Sequence, residues 1–331
     1  MLSSLDKTLK ESKNLLAFSA GVDSSALFFL LIEQNIPFDI ALVNYGLRVE
    51  AQSEEAHAKA LAKKYNLVCY SIQAPVFENN FEKNARDFRY AFFEKLIDTQ
   101  GYDTLLTAHQ LNDQLEWLLM RLSKGAGLSE LLGLEQSTQK SNYRLVRPLL
   151  SYTKEALLSY LQAHHYPYFI DKSNSEEKYE RNIFRKNFSD ALIAQYSQGI
   201  ARSFDYLRQD KDNLEAQFNL KFIEKELHII ELLHPSSKVK AIDLSLKKLG
   251  YLLSASQRQE IAQKSSLVIG GKWAIESQDN LLYICPYRQV PMPKKVKETY
   301  RKQKIPSKIR SYCYSEDITI NTQSTKGCAF I

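Results

Sequence analysis

A run of polar and small residues near the start of the chain, SAGVDSS at positions 19–25, has the composition of an anion-binding turn. A short apolar run precedes this turn, and an apolar helical pattern follows it. That order brings backbone N–H groups and the positive end of a helix dipole to one point, which favours phosphate. The run lacks the GxxxxGK[ST] pattern of a Walker-type phosphate loop. From the residues alone, a capped helix after a buried strand is the alternative.

A second cluster of residues that could take part in catalysis or binding contains His109, Asp113 and Glu116. Their spacing of i, i+4 and i+7 predicts one face at the start of a helix. Two carboxylates held close together repel each other unless a cation or a ligand amine lies between them. Mg²⁺ is the expected cation, because it prefers a few carboxylates together with phosphate oxygens. A capped surface helix and a transition-metal site are the alternatives, and the second lacks a further His or Cys.

The elements that must position these residues follow from hydrophobic periodicity. Apolar runs of strand length at 14–18, 38–43, 67–72 and 104–108 alternate with helical patterns at 53–65, 81–97 and 112–122. This alternation predicts an α/β fold with a doubly wound parallel sheet covered on both faces. Ligands of such sheets bind beyond the carboxyl ends of the strands, so the loops at 19–25, 44–48 and 108–113 should converge. The middle loop, with Gly46 and Arg48, would by itself be interpreted as a surface turn.

Length and composition predict two domains in an ordinary globular protein. The chain has 331 residues, of which 44% are apolar and 25% charged, and we place the domain boundary near residue 200. The sequence shows no long uncharged apolar stretch and no secretory signal, which predicts a cytoplasmic protein. The four cysteines Cys69, Cys285, Cys313 and Cys328 form no CxxC pair. We therefore expect reduced thiols, without a disulfide framework and without a zinc or iron–sulfur site.

The second half of the chain is distinguished by its basic charge. The net charge is +6, and residues 286–310 contain nine Lys or Arg against Glu298 alone. A basic cluster interleaved with Tyr287 and Tyr300 predicts a polyanionic partner such as a nucleic acid, with a solvated basic face as the alternative. We also expect a charged linker helix at 201–227, two short helices within 243–263 and a β-hairpin formed by 272–277 and 281–285.

The turn at 19–25 resembles the SGGxDS signature of the PP-loop pyrophosphatases, which split ATP into AMP and pyrophosphate. Ala20 stands where the first glycine of that signature is expected. A methyl group can be tolerated at this position if the backbone φ is negative.

The segment AHQLNDQLEW at 108–117 is similar to the AHHxxDQxET signature of one PP-loop branch, the tRNA(Ile)-lysidine synthases. His109, Asp113, Gln114 and Glu116 match the family. Gln110 replaces its second His, Asn112 replaces an Asp that precedes the matched Asp113, and Trp117 replaces its Thr. Further matches follow in the family's order along the chain. They are Asn84–Tyr90, the glycine run with Gly125, Gly127, Leu128, Leu131 and Gly133, the RPLL at 147–150, the pattern of Asp171, Asn174, Arg181, Asn182 and Arg185, and more loosely the KQKIPSKIR segment at 302–310.

Two pairs of arginines, Arg86 with Arg89 and Arg181 with Arg185, are each spaced by about one helical turn. Both members of such a pair can contact one anion, and guanidinium groups bind phosphate in a bidentate, permanently charged manner. Each pair alone is more typical of solvated ion-pair partners. Together with a phosphate-binding turn, the pairs favour contacts with a triphosphate and with a tRNA backbone, and the division of the arginines between these two ligands is open.

The resemblance implies a fold and a reaction. The fold would be the PP-loop, adenine nucleotide α-hydrolase-like domain at 1–200, followed by a linker helix and a smaller α+β tRNA-binding domain at 201–331. ATP would adenylate O2 of cytidine 34 in the isoleucine tRNA with the CAU anticodon, and the ε-amine of free L-lysine would then attack C2. The products would be lysidine, AMP and pyrophosphate, and codon reading would change from AUG to AUA. Unpaired loop bases make the required base flipping inexpensive.

The resemblance also implies roles for individual residues, including Mg²⁺ ligation by Asp23 and Asp113. A carboxylate among Asp23, Asp113 and Glu116 could bind the lysine ammonium and then accept its proton, and His109 could contact the adenylate or act as the base. The implied catalytic residues are Asp23, His109, Asp113, Glu116 and Arg86. The implied ATP-binding residues are Ser19, Ala20, Gly21, Val22, Asp23, Ser24, Ser25 and Arg185. The implied tRNA- or substrate-binding residues are Arg48, Arg89, Arg181, Asn182, Lys294, Lys295, Arg301, Lys302 and Lys304.

Three other interpretations compete with the resemblance to lysidine synthases. A cytidine 2-thiolase of the same superfamily would carry catalytic cysteine pairs, and a nucleotide amidotransferase or NAD synthetase would not need the basic second domain. A catalytically silent RNA- or nucleotide-binding relative would explain Ala20 and Gln110 as marks of decay. The resemblance also makes a homodimer possible.

Overall fold

The computed structural model describes residues 6–46, 50–170 and 180–320. The chain divides into two compact units, Met1–Arg208 and Gln209–Ile331. Four residues singled out from the sequence, Arg48, Asp171, Asn174 and Cys328, lie outside the described residues.

The first unit is built on a six-stranded sheet with the strand order β3-β2-β1-β4-β6-β5. Strand β1 pairs in parallel with β2 and β4, β2 with β3, and β4 with β6, whereas β5 runs antiparallel to β6. The predicted parallel sheet is therefore confirmed, and the short pair β5–β6 extends it. The strands are β1 (Asn14–Ala17), β2 (Phe38–Asn44), β3 (Cys69–Gln73), β4 (Thr104–Leu106), β5 (Ser137–Gln139) and β6 (Arg144–Val146).

Helices cover both faces of this sheet, as its strand periodicity requires. Consecutive residues of β1 serve opposite faces, because side chains alternate along a strand. Leu16 packs into the core that contains Leu27 and Leu61, and Leu15 packs into the core that contains Phe93 and Ile97. The helices are α1 (Asp6–Lys10), α2 (Val22–Glu33), α3 (Glu50–Tyr65), α4 (Phe81–Gln100), α5 (Leu111–Leu122), α6 (Leu128–Leu131), α7 (Lys154–Ala163), α8 (Glu180–Phe184), a π-helix at Arg185–Ser189, and α9 (Asp190–Glu215).

The second unit contains a five-stranded antiparallel sheet in the order β7-β8-β11-β10-β9. Separate apolar cores lie on its two faces, and the neighbouring residues Ile229 and Ile230 pack into different cores. The strands are β7 (Phe218–Glu224), β8 (Leu227–Leu232), β9 (Ser266–Ile269), β10 (Trp273–Gln278) and β11 (Leu281–Pro286), and the helices are α10 (Lys238–Lys248), α11 (Ala255–Gln263), α12 (Lys294–Lys302) and α13 (Ser307–Glu316), with a 3₁₀ turn at Pro235–Ser237. The predicted hairpin and the two short helices are confirmed.

The predicted linker helix at 201–227 is wrong in its second half. Helix α9 ends at Glu215, and Phe218 begins the hairpin β7–β8. Phe218 and Leu220 pack into one core, whereas Phe222, beyond a register irregularity in the strand, packs against the other. Lys225 closes the turn with φ 52°. The spacing of Phe218 and Phe222 suits a helix as well as a strand, and pairing with β8 decides in favour of the strand.

No helix in the described part of the chain combines the length and the apolar composition that crossing a bilayer requires.

Candidate active site

The turn between β1 and α2 is closed by its own serine hydroxyls. Ser24 Oγ accepts a hydrogen bond from the backbone N–H of Ser19 at 3.2 Å and lies 3.1 Å from Ser19 Oγ. It donates to the carbonyl of Gly21 at 3.2 Å. The hydroxyl of Ser25 is fully buried and does not face the cavity described below. Ser24 thus shapes the turn, and Gly21 serves as the N-cap of α2.

Ala20 adopts a left-handed backbone with φ 59° and is fully buried. The negative φ that would accommodate a methyl group without strain is therefore not adopted at this position. The conformation turns the Ala20 carbonyl toward the chain near Phe169, whose backbone N–H donates to it at 2.9 Å. Gly21 also forms a parallel bridge with Phe169. The turn is therefore held from outside by the segment that precedes residue 171, which explains how a non-glycine residue is kept in a conformation disfavoured by roughly 1–2 kcal/mol.

A cavity of about 480 Å³ opens at the carboxyl ends of β1, β2 and β4. All three loops that were expected to converge contribute to its wall within the described residues. The predicted site residues that line it are Ser19, Gly21, Val22, Asp23, Ser24, Arg89, His109, Asp113, Arg181 and Arg185. Tyr90, the last residue of the Asn84–Tyr90 match, lines it too, and so do Tyr45, Lys154, Leu158 and Phe169, which were not singled out from the sequence.

Asp23 is the carboxylate whose ionisation the cavity perturbs most clearly. Burial, and next the negative charge of Asp113, raise the pKa of Asp23 to about 6. Its Oδ1 is buried without a hydrogen-bond partner in the described structure. An orphaned carboxylate oxygen beside a second carboxylate is suited to a hard cation such as Mg²⁺. The described residues contain no group of three acidic, His or Cys side chains that could hold a metal by themselves.

The start of α5 is fixed by a capping box. The Gln110 side chain accepts from the backbone N–H of Asn112 at 2.6 Å, and Asp113 Oδ2 accepts from the backbone N–H of Gln110 at 2.9 Å. His109, just before the helix, is hydrogen-bonded through Nδ1 to Thr107 at 3.0 Å. Burial and then the positive charge of Arg147 lower the pKa of His109 to about 3. The imidazole is consequently neutral at physiological pH and is a weak base.

The acidic face of α5 is paired with the two arginines of the following helical segment. Glu116 is fully buried. Its carboxylate accepts from Arg181 Nε at 2.7 Å and from Arg185 Nε and an Arg185 terminal nitrogen at 2.6 and 3.1 Å. Arg181 also donates to Asp113. The sequence suggested carboxylates for cations and arginines for phosphates, and the structure joins the two sets in one network. Arg185 opens the π-helix, an irregularity that is frequent at functional sites.

The remaining predicted residues lie outside the cavity lining. Arg86 is exposed, and its guanidinium lies 4.9 Å from the ring centroid of Tyr90. Asn182 is half-buried on α8. In the second unit the predicted basic residues are exposed, while Val296 and Tyr300 of α12 are half-buried. These exposed residues are Lys294, Lys295, Arg301, Lys302 and Lys304.

Comparison with known proteins places these features in a family. Residues 1–192 match the model of the PP-loop domain. A tRNA(Ile)-lysidine synthase of Campylobacter jejuni is 45% identical over 317 residues, which are 96% of this chain and 97% of that protein. The synthase of Wolinella succinogenes is 43% identical over 95% of this chain and 96% of its own length, and that of Helicobacter pylori is 43% identical over 93% and 91%. This chain belongs to the tRNA(Ile)-lysidine synthase family.

Among solved structures, this chain is similar to the U34-tRNA thiolase NcsA from Methanococcus maripaludis with its [4Fe-4S] cluster. The TM-score is 0.51 at 17% identity, and the match covers 62% of this chain and 76% of the thiolase. The similarity concerns the fold alone and agrees with the PP-loop architecture of the first unit.

The departures from the lysidine synthase signatures have structural roles in this chain. Gln110, at the place of a histidine, caps α5. Asn112 accepts a hydrogen bond through Oδ1 from the backbone of Lys154 at 3.2 Å. Trp117, at the place of a threonine, donates through Nε1 to the carbonyl of Glu130 at 2.7 Å. The contacts of Asn112 and Trp117 connect α5 to α7 and α6. The cap formed by Gln110 gives this departure a structural role that does not require a relative without catalytic activity.

Lys154 and Tyr45 are cavity residues that the sequence interpretation missed. Tyr45 lies inside the loop that was expected to converge, and its hydroxyl donates to the carbonyl of Ala85 at 3.1 Å. Lys154 follows Thr153, whose hydroxyl caps α7 by accepting from the N–H of Ala156 at 3.1 Å. The sequence signal that could have pointed to Lys154 was the start of a helix shortly after the RPLL segment at 147–150.

Ala20→Gly is expected to change the free energy of unfolding by less than about 0.5 kcal/mol, because relief of the left-handed strain offsets the entropy cost of glycine and the loss of a buried methyl group. Urea denaturation measures the change. The matched control is Ala26→Gly, a buried position inside α2, which should lose about 1 kcal/mol or more. Equal losses for both variants would contradict the assignment of strain to Ala20.

Gly133→Ala is expected to destabilise the protein by about 1–3 kcal/mol through overpacking. A Cβ at this position would lie 2.5 Å from Trp117 Nε1 and would displace the indole from its hydrogen bond. Thermal unfolding measures the loss. Gly199→Ala, whose Cβ would meet nothing within 4 Å, serves as the control. The loss should shrink in a Trp117→Thr background, and a loss of the same size there would show that the indole is not its cause.

Proposed function

We propose that this chain ligates free L-lysine to C2 of cytidine 34 in the isoleucine tRNA with the CAU anticodon, at the expense of ATP and through an adenylated cytidine. The products are lysidine, AMP and pyrophosphate. The observation that carries the proposal is the meeting of the SAGVDSS turn, Asp23 and the acidic start of α5 in one cavity, in a chain that is 45% identical to a tRNA(Ile)-lysidine synthase over nearly its whole length.

ATP is bound through its phosphates at the turn between β1 and α2. Backbone N–H groups at the start of α2 and the hydroxyl of Ser19 supply hydrogen bonds, and the helix dipole favours the anion. Asp23 and Asp113 hold Mg²⁺, which when bound neutralises phosphate charge and orients the triphosphate. Arg181 and Arg185 lie at the same wall of the cavity, where their ion pairs with Asp113 and Glu116 hold them in place.

The lysine amine must lose a proton before it attacks C2, since its reference pKa is about 10.4. Glu116 is fully buried and saturated by two arginines, so we assign it to positioning those arginines. His109, with a pKa of about 3, is too weak a base and is assigned to a hydrogen bond with the nucleotide. Asp113 also faces the cavity, but its Oδ1 and Oδ2 already accept from Arg181 and from the backbone N–H of Gln110. Asp23, whose Oδ1 has no hydrogen-bond partner in the described structure, is then the carboxylate assigned to bind the ammonium and accept the proton.

The tRNA backbone is bound in part by the exposed basic residues of α12 and by Lys304. Tyr300 packs against the core of its unit and Val296 is half-buried, whereas the lysines of α12 are exposed and can contact phosphates. Arg301 is exposed too, and it pairs with the neighbouring Glu298 at 3.5 Å. Phosphate neutralisation is salt-dependent. Simultaneous Lys294→Ala and Lys295→Ala substitutions should therefore weaken tRNA binding at every salt concentration and flatten its salt dependence.

The decisive experiment measures sustained pyrophosphate release by the full-length protein with ATP and Mg²⁺. Release should require both L-lysine and the CAU-anticodon isoleucine tRNA, and the tRNA should gain the mass of one lysine residue. A transcript with uridine at position 34 is the matched control and should support no release. Release without tRNA would favour a different pyrophosphatase reaction, and binding of tRNA and ATP without release would favour a catalytically silent relative.

A further inference from the structure

Lys154 lines the same cavity as the SAGVDSS turn. It is the first residue of α7, and Leu158, one turn later, lines the cavity too. Residues at i and i+4 share a helix face, so the face of α7 that carries Lys154 borders the cavity.

The position of Lys154 is fixed by α5. Its backbone N–H donates to Asn112 Oδ1 at 3.2 Å. Two further bonds join the same segments: the N–H of Leu111 donates to the carbonyl of Tyr152 at 2.9 Å, and Gln114 Nε2 donates to the carbonyl of Leu150 at 2.5 Å. The start of α7 therefore keeps a constant place relative to the acidic helix start.

The charge of Lys154 is available, whereas the charges of Arg181 and Arg185 are already compensated by Asp113 and Glu116. Within the described part of the structure the Lys154 ammonium forms no ion pair and donates no hydrogen bond. Its positive charge acts on Asp23, where it opposes the rise in the pKa of that carboxyl more strongly than either arginine does. A triphosphate brings several negative charges into this cavity, and an uncommitted ammonium with three N–H donors is suited to them.

We propose that Lys154 binds the β- and γ-phosphates of ATP and stays with the pyrophosphate as it leaves. The inference rests on the proposed function. In the adenylation step, O2 of the cytidine forms a bond to the α-phosphorus while the bond from that phosphorus to the α,β-bridging oxygen breaks. The bridging oxygen departs with the electron pair, and the Lys154 ammonium compensates the charge that develops on the pyrophosphate.

The experiment compares Lys154→Ala with the wild type in full-length protein, using calorimetric titration with ATP, pyrophosphate and AMP. Lys154→Ala should weaken the binding of ATP and of pyrophosphate at least about tenfold and leave AMP binding within about twofold. Lys154→Arg should keep most of the ATP affinity. The control is Lys95→Ala, an exposed lysine of α4 outside the cavity lining, which should change none of the three.

The outcomes separate this inference from the function on which it rests. Unchanged ATP affinity in Lys154→Ala, or an equal loss for ATP and AMP, would overturn the role of Lys154 and leave the synthase proposal intact. Failure of the wild type to bind ATP would overturn both. Because Lys154 is exposed at a helix start, we expect the variant to fold, and Lys154→Gln provides the same comparison if alanine disturbs α7.

Discussion

Asp23→Asn is expected to abolish pyrophosphate release and, at the same time, to make the ligand-free protein more stable. Burial, and next the charge of Asp113, raise the pKa of Asp23 from 3.8 to about 6. Each pKa unit corresponds to about 1.4 kcal/mol. Ionised Asp23 therefore costs the folded state about 2–3 kcal/mol at pH 7.5, a cost that a neutral Asn does not impose.

The stability difference between Asp23→Asn and the wild type should depend on pH, in a direction set by the folded and unfolded pKa values of Asp23. The folded pKa lies above the unfolded one, so between about pH 4 and pH 6 the folded protein binds the proton more tightly than the unfolded chain does. Stability contributed by this group is present at low pH and is lost as the pH rises through that range. The advantage of Asp23→Asn over the wild type should grow from about 1.5 kcal/mol at pH 5 to about 3 kcal/mol at pH 7.5.

Urea denaturation of both proteins at the two pH values measures this difference. Asp87→Asn, an exposed aspartate on α4, is the matched control and should change the free energy of unfolding by less than about 0.5 kcal/mol. If Asp23→Asn destabilised the protein at pH 7.5, the carboxylate would have a favourable partner and would not be the orphaned cation ligand described above. Mg²⁺-dependent ATP binding by the wild type should also weaken below about pH 6, as Asp23 becomes protonated.

Glu116→Gln is expected to cost about 3 kcal/mol of stability or more and to lower the rate of pyrophosphate release about 100-fold. Glu116 is fully buried and is shared by Arg181 and Arg185. Removing one partner of a buried ion pair leaves the others uncompensated. The freed guanidiniums would leave their places at the cavity wall, and small displacements of positioning groups are costly for catalysis.

The double variant Glu116→Gln with Arg185→Gln tests whether the network is the cause. Its stability should be higher than the sum of the two single losses implies, because the second substitution removes a charge that the first left unpaired. Glu155→Gln, on the exposed start of α7, is the control. Normal stability with lost activity in Glu116→Gln would instead assign this carboxylate a direct contact with a substrate.

The parallel sheet and the three converging loops of the first unit followed from local patterns. Apolar runs such as 38–43 are periodic over a few residues, and the connection rules of parallel sheets then place their carboxyl ends together. The hairpin β7–β8 did not follow, because Phe218 and Phe222 are spaced for a helix and only pairing with β8 and burial in two different cores decide for a strand.

The sequence by itself determined the family, the PP-loop fold, the SAGVDSS turn and the acidic start of α5, since each is encoded in residues close together in the chain. The tertiary structure decided how those charges are used. It holds Ala20 in a left-handed conformation through Phe169, pairs Glu116 with two arginines more than sixty positions away, and brings Lys154 to the cavity. Such contacts depend on which distant groups share a buried space, because burial determines the energy of a charge and no short motif records its neighbours.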